Sequence, residues 1–210
     1  MSDFHMVVCV KAVPGSTEVK MDPKTNTIVR DGKQAVINPF DASALECALA
    51  LKDDFIGFGM DVRVTVVSMG IPATESLLRD CIARGADDAL LLTDRAFAGA
   101  DTLATSYALA TAIKKIGDYD VIIGGRQAID GDTAQVGPQV AEKLGLTQVT
   151  YAEEILNVDK AAKKITVKRH IDGGVETVEA PLPIVITVNG SAAPCRPRNA
   201  KLVQKHKRAL

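Results

Sequence analysis

A paired glycine, Gly124-Gly125, closes the apolar run Val121-Ile122-Ile123, and Asp130-Gly131-Asp132-Thr133 follows shortly after it. Residues without a Cβ let the backbone turn sharply and come close to a ligand. Asp132 or Thr133 is read as the N-cap of a helix carrying Val136, Val140, Ala141 and Leu144. A strand, a glycine turn and a helix N-terminus together suit an anion, because unpaired N–H groups point outward there and the helix dipole favours negative charge. The chemistry offered is retention of a phosphate or pyrophosphate. The same residues equally suit a tight turn followed by a solvated acidic loop, since they form neither a Walker loop nor a strict GxGxxG.

Two other places repeat the pattern. Met6-Val7-Val8-Cys9-Val10 reads as a central strand that empties into Lys11-Ala12-Val13-Pro14-Gly15, and Val62 to Val67 reads as a second that ends in Ser68-Met69-Gly70. Open α/β sheets place ligands outside the carboxyl ends of their strands. If the strands ending at Ala12, Ser68 and Gly124 are neighbours, their loops line one crevice. Lys11 is read as a snorkelling side chain in preference to a phosphate contact. Asn38, before Pro39, is read as the N-cap of the first long helix or as a ligand contact beside the Ala12 loop, with Asp41 at the positive end of the helix dipole.

These loops need a frame. Apolar residues recur helically at Ala44, Leu45, Ala48, Leu49 and Leu51, at Leu77, Leu78, Cys81 and Ile82, and from Leu103 to Ile113 behind an Asp101-Thr102 cap. Between them lie the strand-like runs at Val62, Ala89 and Val121. Strand and helix alternate, so the fold class is α/β: a doubly wound, mostly parallel sheet with helices on both faces. After Gly145 the chain turns to alternating strands, which predict an antiparallel meander over residues 151–180, with Ile184–Val188 rejoining the main sheet. Residues 1–190 are read as one nucleotide-binding domain carrying this meander. Residues 191–210 are read as a basic segment that is flexible or bound by a partner. A further small hairpin is expected between Val19 and Val36.

The formal net charge of −1 gives no ground for a nucleic-acid or anionic-membrane partner. Cys9, Cys47, Cys81 and Cys195 are scattered, as are His5, His170 and His206, so reduced thiols in a cytoplasmic or matrix setting are expected, with no metal site. No stretch reads as a secretory signal or a membrane span.

The motifs NPFD at Asn38, GRQAIDGDTAQVGPQVAEKLG at Gly124 and VKRHIDGGVETV at Val167, followed by PIVIT at Pro183, resemble the beta subunits of electron transfer flavoproteins. The resemblance runs from Val7 to about Lys207. It implies a flavodoxin-like or adenine-nucleotide-hydrolase-like fold, a heterodimer with an FAD-carrying alpha subunit, and either a structural AMP or a second FAD in this chain. The matching nucleotide-site residues are Ala12, Val13, Asn38, Asp41, Ser68, Gly70, Gly124, Gly125, Gln127, Asp132, Thr133, Gln135, Val136 and Gly137. The lean DGDTAQVGP loop resembles electron-bifurcating members and favours FAD over AMP. In such members NADH supplies the electrons. One passes to ferredoxin or flavodoxin, the other through the alpha-subunit flavin to an acyl-CoA or 2-hydroxyacid dehydrogenase. No side chain here is expected to act as a catalytic acid or base, because the flavin carries the chemistry. The family usually continues into a C-terminal arm, so truncation or a short arm at Leu210 is expected to weaken partner binding. Leu202 falls where relatives dock the dehydrogenase, and the resemblance implies either an apolar anchor there or a residue buried against the alpha subunit. A nucleotide-binding or hydrolase-like protein acting alone is the reading from another class.

Overall fold

The computed structural model describes residues 2–15 and 35–207. The hairpin expected between Val19 and Val36 therefore lies largely outside the described residues. Strands β1 (Phe4–Cys9), β4 (Val62–Met69), β5 (Asp88–Leu92), β6 (Val121–Gly125), β7 (Thr147–Asp159) and β10 (Ile184–Val188) are joined in parallel, while β8 (Lys164–Ile171) and β9 (Gly174–Pro181) continue the same sheet in antiparallel fashion. The order across the eight strands is β5-β4-β1-β6-β10-β7-β8-β9. Numbered by appearance, the parallel strands begin 3-2-1-4, the order of doubly wound nucleotide-binding sheets and not the 2-1-3-4-5 of flavodoxin. A short ribbon, β2 (Ala12–Pro14) with β3 (Ala35–Ile37), leaves the end of β1.

Helices α1 (Pro39–Gly57) and α2 (Glu75–Arg84) bury Ala44, Leu45, Ala48, Leu49, Leu77, Leu78 and Cys81 against one face, with Met6, Val8, Val64, Val66 and Ile123. Helices α3 (Thr102–Ile116) and α4 (Val136–Leu144) cover the other face, where Leu109, Ile113, Val140 and Ala141 meet Val7, Val67, Ile122 and Val185. Strands buried on both faces carry unbroken apolar runs, which is why Val121 to Ile123 shows no alternation. The doubly wound, mostly parallel sheet expected from the alternation of elements is present.

The chain winds to opposite sides of β1, so the topological switch point falls between β1 and β6. Beyond it, β7 is one long strand of 13 residues. Its register against β10 shifts between Ile186 and Val188, and Tyr151, at φ 59°, sits at that bend. The first half of β7 stays in the parallel sheet and the second half pairs with β8.

Residues 194–199, expected to be flexible or partner-bound, lie across the chain's own helices. Arg196 donates to Glu46 at 2.8 Å and to Asp53 at 2.6 Å, Arg198 reaches Asp80 at 3.1 Å, and Asn199 N–H donates to the Ala83 carbonyl at 2.7 Å. Helix α5 (Ala200–Lys207) then packs on α2. Among the described residues no helix is long and apolar enough to cross a membrane.

Candidate functional site

The strands that end at Ser68, at Lys11-Ala12 and at Gly124 are adjacent, as β4, β1 and β6. Their loops therefore open on one edge of the sheet, at the switch point. Helix α3 begins beside them with Asp101 as N-cap, its carboxylate accepting from Ala104 N–H at 2.8 Å. Helix α4 begins next to α3. Thr102 Oγ1 donates to Gln135 Oε1 at 3.0 Å and lies 3.5 Å from Gln139 Nε2, so two helix N-termini converge on the same edge.

Helix α4 starts at Val136, with Gln135 at the N-cap and no side-chain cap bond. Neither Asp132 nor Thr133 caps it, which corrects the sequence reading. Asp132 and Ala134 both take positive φ, 55° and 52°. That conformation costs a residue with a Cβ about 1–3 kcal/mol and gathers at ligand-binding loops. It twists the chain away from helical geometry too early for either residue to cap. The Asp132 carboxylate instead takes the Gln127 side-chain amide.

Three polar groups sew the near side of the crevice. Asn38 is fully buried: its Nδ2 donates to the Gln127 carbonyl at 2.8 Å and its Oδ1 accepts from Ile129 N–H at 3.3 Å. It sits at the N-cap position of α1 but makes no side-chain cap bond. Asp41 Oδ2 accepts from Lys11 N–H at 2.8 Å and Oδ1 from Gly125 N–H at 2.9 Å. Lys11, read as a snorkelling chain, forms an ion pair with Asp130 at 2.6 Å. That pair has one half-exposed partner and contributes under about 1 kcal/mol. Losing Asp41 would strand two part-buried main-chain donors, at up to about 1–3 kcal/mol each, so Asp41 outweighs the ion pair. Burial pushes its carboxyl up to about 7 against the opposing pull of the Lys11 N–H, the Asn38 side chain and the Gly125 N–H. The neighbouring Cys9 thiol is pushed up to about 12, by burial first and then by Asp41.

The glycines divide by purpose. A Cβ on Gly125 would lie 2.4 Å from Asp41 and 2.6 Å from Phe40, so its bare backbone admits the start of α1. A Cβ on Gly137 would meet Thr187 at 2.5 Å, and one on Gly70 would meet Thr74 at 2.6 Å, so both serve packing. Gly124 is 3.7 Å from its nearest neighbour by the same test, and Gly131 meets nothing within 4 Å. Of the remaining expected residues, Val13 is buried in the core, Ala12 is half-buried in the ribbon, Thr133 is exposed, and Val136 opens α4.

Thr102, Gln139 and Arg126 were not among the expected residues. The Arg126 guanidinium lies 5.2 Å from the ring centres of both Phe40 and Tyr151. The spacing of Gln135 and Gln139, one helical turn apart, was the only local signal for the α3–α4 contact. Among the described residues the buried side-chain polar atoms without a partner are Ser68 Oγ, Arg84 Nε, Arg126 Nε and Gln139 Oε1. All but Arg84 stand on elements around the switch point. The residues present fit a nucleotide: a helix start without a side-chain cap for phosphate oxygens, and hydroxyl and amide groups for further polar contacts. Among the described residues no group of three or more His, Cys, Asp or Glu could hold a metal ion.

Residues 25–209 match the electron transfer flavoprotein domain. The chain is 52% identical over 189 residues to protein FixA of Azorhizobium caulinodans, covering 88% of this chain and 66% of that one. It is 50% identical over 184 residues to the caffeyl-CoA reductase-Etf complex subunit CarD of Acetobacterium woodii, and equally to the electron transfer flavoprotein subunit beta of Clostridium acetobutylicum, each covering 88% of this chain and 68% of the relative. The chain thus spans about two thirds of the length of the curated relatives it matches.

Proposed function

The chain belongs to the electron transfer flavoprotein family as a beta-type member, and on that premise we propose that its switch-point crevice holds FAD and that it carries electrons in a heterodimer with an alpha subunit. One observation carries the reading: the ends of β4, β1 and β6 lie side by side, and the loop that leaves β6 runs into an α4 whose N-terminus has no side-chain cap. The N–H groups of Val136 and Gly137 would take pyrophosphate oxygens, with Thr133, Gln135 and Thr102 beside them as hydroxyl and amide partners. The open space about Gly131 and the small Ala134 support FAD over AMP.

Bound FAD supplies the redox chemistry, and the protein's part is to bind it, orient it and set its surroundings. We take NADH as the transient donor and the reading to be the bifurcating one, with ferredoxin or flavodoxin as the low-potential acceptor. An acyl-CoA or 2-hydroxyacid dehydrogenase is the other redox partner. The name of the relative CarD, which places that protein with a reductase of a CoA thioester, favours the acyl-CoA branch.

The test is to purify the chain with its copurifying partner, release the ligands with acid and record their visible absorption. The expected result is flavin from both subunits. Flavin from the partner alone, with AMP from this chain, sinks the FAD and bifurcation reading but leaves the family intact. A stable monomer without a larger partner would favour a stand-alone nucleotide-binding protein.

A further inference from the structure

The residues around the switch point form a closed ring. Asn38 N–H donates to the Lys11 carbonyl at 2.9 Å, the Asn38 side chain holds Gln127 and Ile129, Lys11 Nζ holds Asp130, and Asp41 holds the Lys11 and Gly125 N–H groups. Both Asp41 oxygens are thus occupied by main-chain donors of the protein itself, and the side chain is buried. A buried carboxylate whose two oxygens each already accept a main-chain N–H repels the phosphate of an anionic ligand. We propose that Asp41 is a positioning residue: it stays off the nucleotide and ties together the Lys11 and Gly125 ends of the adjacent strands β1 and β6, whose loops line the crevice. The proposal rests on the crevice being a nucleotide site.

Gly125 shows how tightly that tie is drawn, because even a methyl group there would overlap Asp41 and Phe40. The lock is also open to protons. Asp41 faces Cys9 and Lys11 from β1, Asn38 from its own helix, Gly125 from β6 and, more remotely, Cys81 from α2. Burial outweighs the donors, so the carboxylate takes up a proton as pH falls through about 7. A protonated carboxyl keeps its carbonyl oxygen as a full acceptor while its hydroxyl oxygen accepts more weakly, so one of the two ties between the strand ends is weakened.

The test compares the full wild-type chain with Asp41→Asn, without ligand, by amide hydrogen exchange. Asparagine can accept from one N–H but turns its own NH2 toward the other. Protection of the Lys11 or Gly125 amide is expected to fall about tenfold, the worth of one hydrogen bond to a charged acceptor. The Ile129 amide, held by Asn38, should be unchanged. AMP and FAD affinities, titrated separately, should vary through about pH 7 in the wild type and lose that dependence in the variant. Unchanged protection with weakened AMP or FAD binding would make Asp41 a direct contact and overturn the proposal. Uniform loss across β1, β4 and β6 would reduce it to a residue of the fold and overturn it equally. Protection lost as expected, in a chain whose wild type binds neither AMP nor FAD, supports the lock and sinks the nucleotide reading instead. Should the variant fail to fold, the wild type still decides. Its Lys11 and Gly125 amides should be protected and shift together as pH passes about 7, and unprotected amides with no common titration overturn the proposal.

Discussion

A methyl group on Gly125 would sit 2.4 Å from the Asp41 carboxylate and 2.7 Å from the Phe40 backbone carbonyl carbon, and neither neighbour is the loose end of a flexible chain. Gly125→Ala is therefore expected to cost about 1–3 kcal/mol of stability, the range for forced overpacking. It should also empty the crevice of nucleotide. Gly131→Ala, in open space, should leave both unchanged. Thermal unfolding together with the amount of nucleotide retained on purification checks the pair. Equal behaviour of the two variants would mean that the glycines serve only as turn residues. The same scale separates Asn38 from its apparent role. A residue read as a helix cap or a ligand contact sits at the cap position of α1, yet its side chain holds a loop that lies 89 positions away along the chain.

At the scale of elements, the segment 194–199 behaves as a strap. Arg196 joins it to α1 through Glu46 and Asp53, and the Arg84 guanidinium of α2 donates to the Arg196 carbonyl. The two carboxylates hold the Arg196 guanidinium well above its ordinary range, Glu46 foremost. Surface ion pairs contribute little singly, but here one side chain closes several bonds at once. Arg196→Ala should expose the bonds after Arg198 and Lys201 to trypsin while the melting temperature of the sheet barely moves. Unaltered digestion would show that α5 packing on α2 holds the segment without the strap. A basic, proline-rich composition reads as an arm from its local pattern, because the acidic partners on α1 and α2 are distant in sequence.

At the scale of the whole molecule, two buried groups at opposite edges of the sheet tilt stability in opposite directions. Burial holds His5 below its ordinary value, with its ring between Thr65 at 2.8 Å and the Asp118 carbonyl at 3.2 Å, and with Arg63, Asp88 and Asp120 nearby. The unfolded state then binds the proton more readily, so the His5 contribution is present above about pH 6.5 and is lost as pH falls below it. Asp41, raised from 3.8 to about 7, does the reverse: its folded state holds the proton, and stability declines as pH rises through that window. His5→Asn is expected to remove the acid-side loss and leave the Asp41 trend uncovered, so that the protein melts higher at about pH 5.5 than at about pH 7.5. Identical melting profiles of the variant and the wild type would show that His5 is not buried as a neutral ring.

How much of this was legible in advance follows from what is local. The apolar runs at Val121 and Val62, the helical periodicity from Ala44 to Leu51 and the Gly124-Gly125 break lie within a few residues of chain, and hydrophobic burial reads directly from such periods. Together with the Met6–Val10 run and the alternating runs after Gly145, they determined the α/β class, the three loop-bearing strands and the meander. Which strands are neighbours, and hence that β4, β1 and β6 share an edge, is a property of how the layers pack. So are the Asp41 bonds to Lys11 and Gly125, the Arg126 stack between Phe40 and Tyr151, and the meeting of Thr102 with Gln135. Each joins residues tens of positions apart, and no periodicity records such a pairing. Only the tertiary structure could decide them, because a buried donor takes whichever acceptor the packed elements bring within reach.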